Sequence, residues 1–310
     1  RMLAAPAHWA PRFRVPGIAR RALSSLHIPE WTATHEVQNQ SVPLEDYNLF
    51  TSDVALREAV ERENAGWAKQ RLEEFGATVG SAKVIEWGHQ ANKNPPELET
   101  FSRFGQRVDI AKYHPAYHDL MRTAIEREMH CLPYTAGKEN GGGNVARSAQ
   151  MYMMYQVEAG VTCPISMTYA CVPVLETTPE VAKEWVPRVC KASYDPRNLP
   201  ASEKTGVTLG MSMTEKQGGS DVRANTTIAE PLDASDAGPG GQFALTGHKW
   251  FTSAPMCDAF LTLAYSAHPD HPREKGPSCF LVPRWLPDGT RNRGLTFMRL
   301  KDKLGDRSNA

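Results

Sequence analysis

The hydrophobic pattern changes period once along the chain, close to Lys204, and no other feature narrows the fold so far. Before that point apolar residues keep the spacing of a helix face; after it they come in short runs bounded by turn residues, as strands do. From Ser52 to about Thr177 the pattern is helical. Ser52 or Thr51 is placed to cap a helix carrying Val54, Leu56, Ala59 and Val60 on its apolar side. Further helices are expected near 67–76, 79–90, 116–131 and 144–159, punctuated by Pro95-Pro96, Pro133 and the glycines 141–143. A last short helix over 179–190 opens on a proline, which the first helical turn tolerates.

Past Lys204 the runs 207–214, 223–230, 242–246, 260–265, 278–282 and 295–300 are rich in Thr, Val, Phe and Leu. Gly, Pro and Asp clusters divide them, and Gly238-Pro239-Gly240-Gly241 reads as a hairpin loop. Closely spaced short strands predict an antiparallel sandwich or barrel. Helices first and strands afterwards make the chain a segregated α+β protein and not an alternating βαβ one. The expected division is a leader over 1–30, a helical domain over 31–204 and a β domain over 205–310.

At 310 residues the chain is long enough to bury a core in each domain. Its 41% hydrophobic and 23% charged residues are those of an ordinary globular protein. No uninterrupted apolar run approaches the ~18 residues of a membrane span, so no membrane role is expected. Formal net charge is zero, but residues 1–29 hold Arg1, Arg12, Arg14, Arg20 and Arg21 and no acid. An arginine-rich, acid-free start is the composition of a mitochondrial transit peptide. The alternative is an untargeted extension, with the protein in the cytoplasm. From Glu30 onward 30 basic face 35 acidic side chains, a balance that gives no support to nucleic-acid binding.

Six cysteines show no C-x-x-C spacing and no paired histidines downstream, so they read as reduced, mostly buried thiols and not as a zinc site. His114 and His118 stand four apart, but Pro115 between them marks a helix start. No residue is assigned as a metal ligand.

Two glycine motifs need separating. Gly141-Gly142-Gly143-Asn144-Val145-Ala146 formally satisfies the dinucleotide fingerprint, yet residues 135–140 before it are polar and turn-like where that fold requires a strand. It reads as a flexible loop. The second, Met211 to Asp221, sits where a hydrophobic strand runs into a glycine-bearing turn. Gly218 and Gly219 are suited to close backbone approach and positive φ. Thr214 and Ser220 offer hydroxyls, and consecutive N–H groups can cradle an anion. Such a turn suits a flat, polar-edged ligand with a phosphate tail, but a plain strand connection would use the same residues.

The run Met213-Thr214-Glu215-Lys216-Gln217-Gly218-Gly219-Ser220-Asp221 resembles the T-E-x-x-x-G-S-D signature of the acyl-CoA dehydrogenase family, in the form found in its AidB-like branch. Gly247-His248-Lys249-Trp250-Phe251-Thr252-Ser253 resembles the second flavin strand of that family. The block from Arg299 to Ala310 resembles a third. Upstream, Asn94-Pro95-Pro96-Glu97-Leu98, Val157-Glu158-Ala159-Gly160 and Cys163-Pro164-Ile165 also look AidB-like, so the resemblance spans about residues 40–310.

The resemblance implies bound FAD. Met211 and Met213 would lie against the flavin, and Thr214 would hydrogen-bond its pyrimidine edge. Gly218, Gly219 and Ser220 would form the phosphate-proximal turn, Ser220 reaching either the pyrophosphate or the acyl-CoA region. Phe251 would cover the ring system, Ser253 would approach N5, and Thr252 lies between them. Where many family members have Tyr, Trp and Thr, this chain has Met211, Phe251 and Ser253, which keep soft bulk, an aromatic face and a hydroxyl.

The implied reaction is α,β-dehydrogenation of an acyl-CoA or related thioester, with electron-transfer flavoprotein or oxygen as acceptor and a homo-oligomeric assembly. The alternatives are an AidB-like stress or DNA-alkylation-response flavoprotein with little turnover, or a non-catalytic truncated product. In the family a C-terminal helical domain supplies the glutamate base, contacts to the adenine half of FAD and most of the oligomer interface. This chain ends at Ala310 and is expected to lack that domain, so no catalytic residue is assigned.

Overall fold

In the computed structural model, residues 39–268, 273–302 and 308–310 are described. The expected leader over 1–30 lies outside them. Helix α1 (Val54–Arg62) is capped by Asp53, whose carboxylate accepts from the Leu56 amide at 2.9 Å. Ser52 does not cap, contrary to the expectation, because its hydroxyl turns back and donates to the Asn48 carbonyl. Helices α2 (Lys69–Val79) and α3 (Ala82–Lys93) follow, the second capped by Ser81.

Then the sequence reading fails locally. Where helix was expected, β1 (Glu97–Phe101) and β2 (Arg107–Lys112) form an antiparallel hairpin. Pro95-Pro96 ends the helical run, and Gly105, at φ +78°, makes the turn. The strands are too short for their period to stand out in the sequence.

Helix α4 (Pro115–Ile125) starts at the predicted proline, with the His114 ring accepting from the Ala116 amide. His118 instead meets the Tyr194 hydroxyl at 2.8 Å, so the two histidines serve different local bonds. Among the described residues no cluster of three or more His, Cys, Asp or Glu could hold a metal ion. Helix α5 (Ala136–Asn140) leads into α6 (Gly143–Tyr155) through Gly141 and Gly142, at φ +72° and +59°. A helix and not a strand precedes this glycine loop, and a side chain on Gly142 would strike the Asn64 carbonyl. The loop is a helix–helix connection.

Helix α7 (Thr162–Leu175) was not singled out by its pattern. Its buried residues Thr162, Pro164, Ile165, Met167, Thr168, Cys171, Val172 and Leu175 leave no broad polar face, and a helix apolar nearly all round carries no amphipathic signal. Helix α8 (Pro179–Val189) starts on its proline as predicted.

The sheet contains β3 (Leu209–Ser212), β4 (Ile228–Pro231), β5 (Phe243–Thr246), β6 (Ala259–Ser266) and β7 (Ser278–Pro283). Its order is β3-β6-β4-β5, with β7 on the other edge of β6. The α+β class holds, but the pairing is mixed. β4–β5 and β6–β7 are antiparallel, whereas β6 runs parallel to both β3 and β4. The reason is the connection: after β3 the chain makes the 213–227 turn and the β4–β5 hairpin before returning beside its own start. The Gly238–Gly241 loop closes that hairpin as expected. The run 295–300 forms no strand, although Phe297 is buried.

Residues 44–310 form one compact unit. One core cluster lies among the helices, around Leu72, Phe75, Leu120, Met153 and Ile165. A second joins Cys171, Val172 and Leu175 of α7 to Val207, Leu209 and Leu261. A third, Met167, Ala254, Cys257, Phe260 and Phe297, lies under the segment that follows the second motif.

Candidate functional site

The two motif segments lie side by side. The Trp250 amide donates to the Thr214 carbonyl at 2.8 Å, and the Ser212 hydroxyl donates to that of Thr252 at 2.8 Å. Beyond them the chain end forms a third ply. Thr252 and Ala310 exchange amide–carbonyl bonds of 3.1 and 3.0 Å, and the Ala254 amide donates to the Ser308 carbonyl at 2.9 Å. Ser253 pairs with Asn309 as an isolated antiparallel bridge, and its hydroxyl donates to the Asn309 side chain.

Side-chain direction follows from the two-residue period of extended chain. Ser212 and Thr252 are buried and point at one another, so their hydroxyls are used inside the protein. Their neighbours Met211, Met213, Phe251 and Ser253 therefore share the other face, and all four are half-buried. Thr214 is half-buried as well, and its hydroxyl makes no hydrogen bond among the described residues. Gly218 is half-buried, while Gly219 and Ser220 are exposed at the tip of the turn. Of the nine residues marked from the sequence, Met211, Met213, Phe251 and Ser253 thus share this face. Thr252 contributes its backbone, its side chain being turned inward.

Neither Gly218 nor Gly219 has positive φ, contrary to the expectation. The bend is closed by the Gly218 amide donating to the Glu215 carbonyl at 3.0 Å, and then by Asp221, whose carboxylate accepts from the Arg223 amide at 3.0 Å. Space at Gly218 is tight. A Cβ there would lie 3.1 Å from the Asp221 carbonyl and 3.2 Å from the Asn225 side-chain oxygen.

What holds the turn is a residue pair that the motif reading passed over. The Glu215 carboxylate is buried. One oxygen accepts from the Thr227 amide at 2.9 Å, the Thr227 hydroxyl and the Lys249 ammonium at 2.9 Å. The other accepts from the Thr226 amide at 2.7 Å, the Thr226 hydroxyl at 2.9 Å and the Gln217 amide. Burial pushes the Glu215 pKa up, but the bonds from Thr227, Thr226 and Lys249 outweigh it and hold the carboxyl well below its ordinary range. Lys249 also donates to the Leu263 carbonyl on β6 at 2.7 Å. One acid from the first motif and one base from the second therefore lock both segments to the sheet. The signal was present in the sequence: each motif carries a charged residue close to a strand, and a charge near a core needs a partner. Asn225, also buried, donates to the Met213 carbonyl at 3.1 Å and braces the same turn.

The surroundings are cationic. The Lys301 ammonium lies 4.4 Å from the Phe251 ring centroid and 4.6 Å from that of Trp250, with Lys216 at 5.4 Å and Arg299 at 5.8 Å from Trp250. On the other side Ala254 borders a cavity of about 420 Å³ walled by Tyr113, Tyr117, His118, Tyr194 and Met256. A half-buried apolar and aromatic face with hydroxyls at its edges and cations nearby fits a flat heteroaromatic ring attached to an anionic tail.

Comparison with known proteins shows the family. The family model for the adaptive response protein AidB N-terminal domain matches residues 39–196, and that for the acyl-CoA dehydrogenase middle domain matches 210–310. AidB of Escherichia coli (strain K12) is 46% identical over 278 residues, covering 89% of this chain and 49% of the relative. Acyl-CoA dehydrogenase family member 11 of Caenorhabditis elegans is 30% identical over 243 residues, covering 76% of this chain and 37% of the relative. Among solved structures, C. elegans ACDH-11 in complex with C11-CoA superposes with a TM-score of 0.73 at 26% identity, over 92% of this chain and 48% of that one. The apo form of Bd2924 gives the same TM-score and identity over 87% and 52%. The chain spans about half the length of these relatives, or less.

Proposed function

Because this chain belongs to the acyl-CoA dehydrogenase family, in its AidB-like branch, we propose that it carries the flavin-ring half of an FAD site in an oxidoreductase acting on the CH–CH bond of an acyl-CoA thioester. The observation that carries the reading is that the segments 211–214 and 251–253 lie side by side, with the half-buried Met211, Met213, Phe251 and Ser253 on the side away from the Ser212–Thr252 bond. FAD would supply the two-electron acceptance that the dehydrogenation needs. Phe251 covers one side of the ring, and Met211 and Met213 supply polarisable contact. Thr214 presents a hydroxyl with no partner among the described residues to a polar ring edge, and Ser253 presents another, oriented by Asn309. Gly219 and Ser220, exposed at the turn, face the phosphate tail.

Two observations support the thioester as substrate. ACDH-11, with a similar fold, was solved with C11-CoA. The aromatic cavity beside Ala254 has the size and apolar lining of small-ligand sites, and it suits an acyl chain. Electron-transfer flavoprotein or oxygen takes the electrons onward, and the full-length protein is a homo-oligomer. The chain's own residues bind, orient and shield; the base that removes the α-proton is assigned to none of them.

The test is titration of the purified protein with FAD, read by flavin fluorescence and by amide exchange. Saturable binding is expected, with slowed exchange at 211–214 and 251–253 and at least tenfold weaker binding in Phe251→Ala. Unchanged exchange in both segments at saturating FAD would overturn the reading.

A further inference from the structure

Two thiols distant in sequence meet in the helical region. Cys131 opens the turn after α4 and is fully buried; Cys190 ends α8 and is half-buried. The Cys131 thiol donates to the Cys190 carbonyl, 59 residues away, with its sulfur 3.5 Å from that oxygen. The neighbouring residues repeat the approach. The His130 ring nitrogen Nε2 donates to the Lys191 carbonyl at 3.2 Å, so residues 130–131 and 190–191 are held together at two successive positions.

The pair is asymmetric. The interaction with the Cys131 side chain lowers the Cys190 thiol below the ordinary cysteine value, against the effect of its burial. Cys131 is pushed up by the same interaction and by its burial. One sulfur is thus the accessible, more acidic nucleophile, and the other is a protonated neighbour within reach of it. That is the arrangement in which an oxidised cysteine is captured by a second thiol.

We propose that Cys131 and Cys190 are a redox-modification site, a dithiol that a hydroperoxide converts reversibly to a disulfide. The Cys190 thiolate attacks the terminal peroxide oxygen. A sulfur–oxygen bond forms, the oxygen–oxygen bond breaks, and the departing alkoxide or hydroxide takes up a proton. Cys190 is then a sulfenic acid. The Cys131 sulfur attacks it, the sulfur–sulfur bond forms, the sulfur–oxygen bond breaks, and water leaves carrying the Cys131 proton. In total two thiols give up two electrons and two protons, and the hydroperoxide is reduced to an alcohol, or water, plus water. A small dithiol reverses the change by exchange.

The consequence is mechanical. Cys190, like Met211 and Met213, packs against the cluster that contains Val207 and Leu209, and the Val207 amide donates to the carbonyl of Arg188, two residues before Cys190. A Cys131–Cys190 bond ties the segment feeding β3 to the helical core and removes freedom from the unfolded chain. The inference is independent of flavin binding.

The test uses the full chain carrying Cys279→Ser, because Cys279 is exposed and would form bonds between molecules. The protein is treated with hydrogen peroxide, denatured, alkylated and mapped by mass spectrometry. A peptide joining Cys131 to Cys190 is expected, about 2 Da lighter than the two reduced peptides and released by dithiothreitol. It should be absent in Cys190→Ala. In Cys131→Ala, Cys190 should instead be trapped as a dimedone adduct. Full alkylation of both residues after peroxide, or joining of either to a different cysteine, would overturn the proposal. This readout needs no bound flavin, so its failure leaves the flavin reading standing, and the reverse.

Discussion

Glu215 and Lys249 show how a binding turn is built from residues that never face the ligand. Both are largely buried: the carboxylate accepts from Thr226, Thr227, Gln217 and Lys249, and the ammonium donates to Glu215 and to the Leu263 carbonyl. Removing one member leaves the other charge buried without its counterion. Lys249→Met is expected to destabilise the fold by about 3–5 kcal/mol in urea unfolding. The pH dependence has a definite sign. The Glu215 pKa is depressed in the folded protein, so its stabilisation is complete above the unfolded value of about 4.3 and is lost as pH falls toward the folded value. Glu215→Gln, though less stable at neutral pH, should therefore lose less stability than wild type between about pH 4.3 and pH 2, as read from urea midpoints. At the proposed flavin face, Thr214→Val removes a hydroxyl that has no partner among the described residues, so it should leave stability nearly unchanged. It should weaken FAD roughly tenfold, the value of about one hydrogen bond.

At the scale of elements the site depends on how α7 meets β3. The Thr168 hydroxyl donates to the Pro164 carbonyl within α7 and accepts from the Leu209 amide, the first of β3, at 3.1 Å. Without it that buried amide has no acceptor. Thr168→Val should cost about 1–3 kcal/mol, whereas Thr168→Ser, which keeps the oxygen, should cost less; thermal unfolding of the two variants checks this. One residue further, Gly210 lets the 253–254 backbone and the Phe260 ring close over β3. A Cβ there would fall 2.6 Å from the ring and 3.0 Å from the Ser253 carbonyl. Gly210→Val is expected to push the two motif segments apart, abolishing FAD binding and lowering the melting temperature together. Parallel pairing of β3 with β6 places Gly210 opposite Phe260, so the register sets this requirement.

Over the whole molecule, the helical region and the sheet are joined by shared core. The second cluster runs from α7 and α8 into β3 and β6, and the third joins Met167 of α7 to Ala254 and Phe260. Met211 and Met213 pack against the second of these clusters, and Met211 against the third as well, so if FAD binds at the proposed face its binding should report on global stability. At FAD concentrations about a hundredfold above Kd, linkage gives about 2.7 kcal/mol, visible as a higher melting temperature that rises with ligand concentration. Phe251→Ala should abolish most of that rise without equal loss of stability in the free protein. Equal shifts in both proteins would mean that FAD binds elsewhere.

Much of this was legible in the sequence, because local chemistry carries it. The change of period at Lys204 follows from how side chains repeat on helices and strands, and it placed α2, α4, α6, α8 and five strands near their observed positions. The first motif was readable as a turn, whereas the second, expected as a strand, forms only the isolated bridge at Ser253; the prolines and glycines marked most boundaries. The polar stretch before glycines 141–143 was enough to reject a dinucleotide fold. Other features were settled only by contacts between distant residues. α7 lacks a polar stripe because it is enclosed nearly all round, and enclosure is a property of its neighbours. The parallel pairing of β3 and β6 depends on the path of residues 213–258 between them. Thr252 turns inward because Ser212 is there to meet it, Glu215 finds Lys249 across 34 residues, and Cys131 finds Cys190 across 59. Periodicity sets what each segment can become; burial and pairing, which exist only once the chain has closed on itself, decide which side chains face the ligand and which hold the site together.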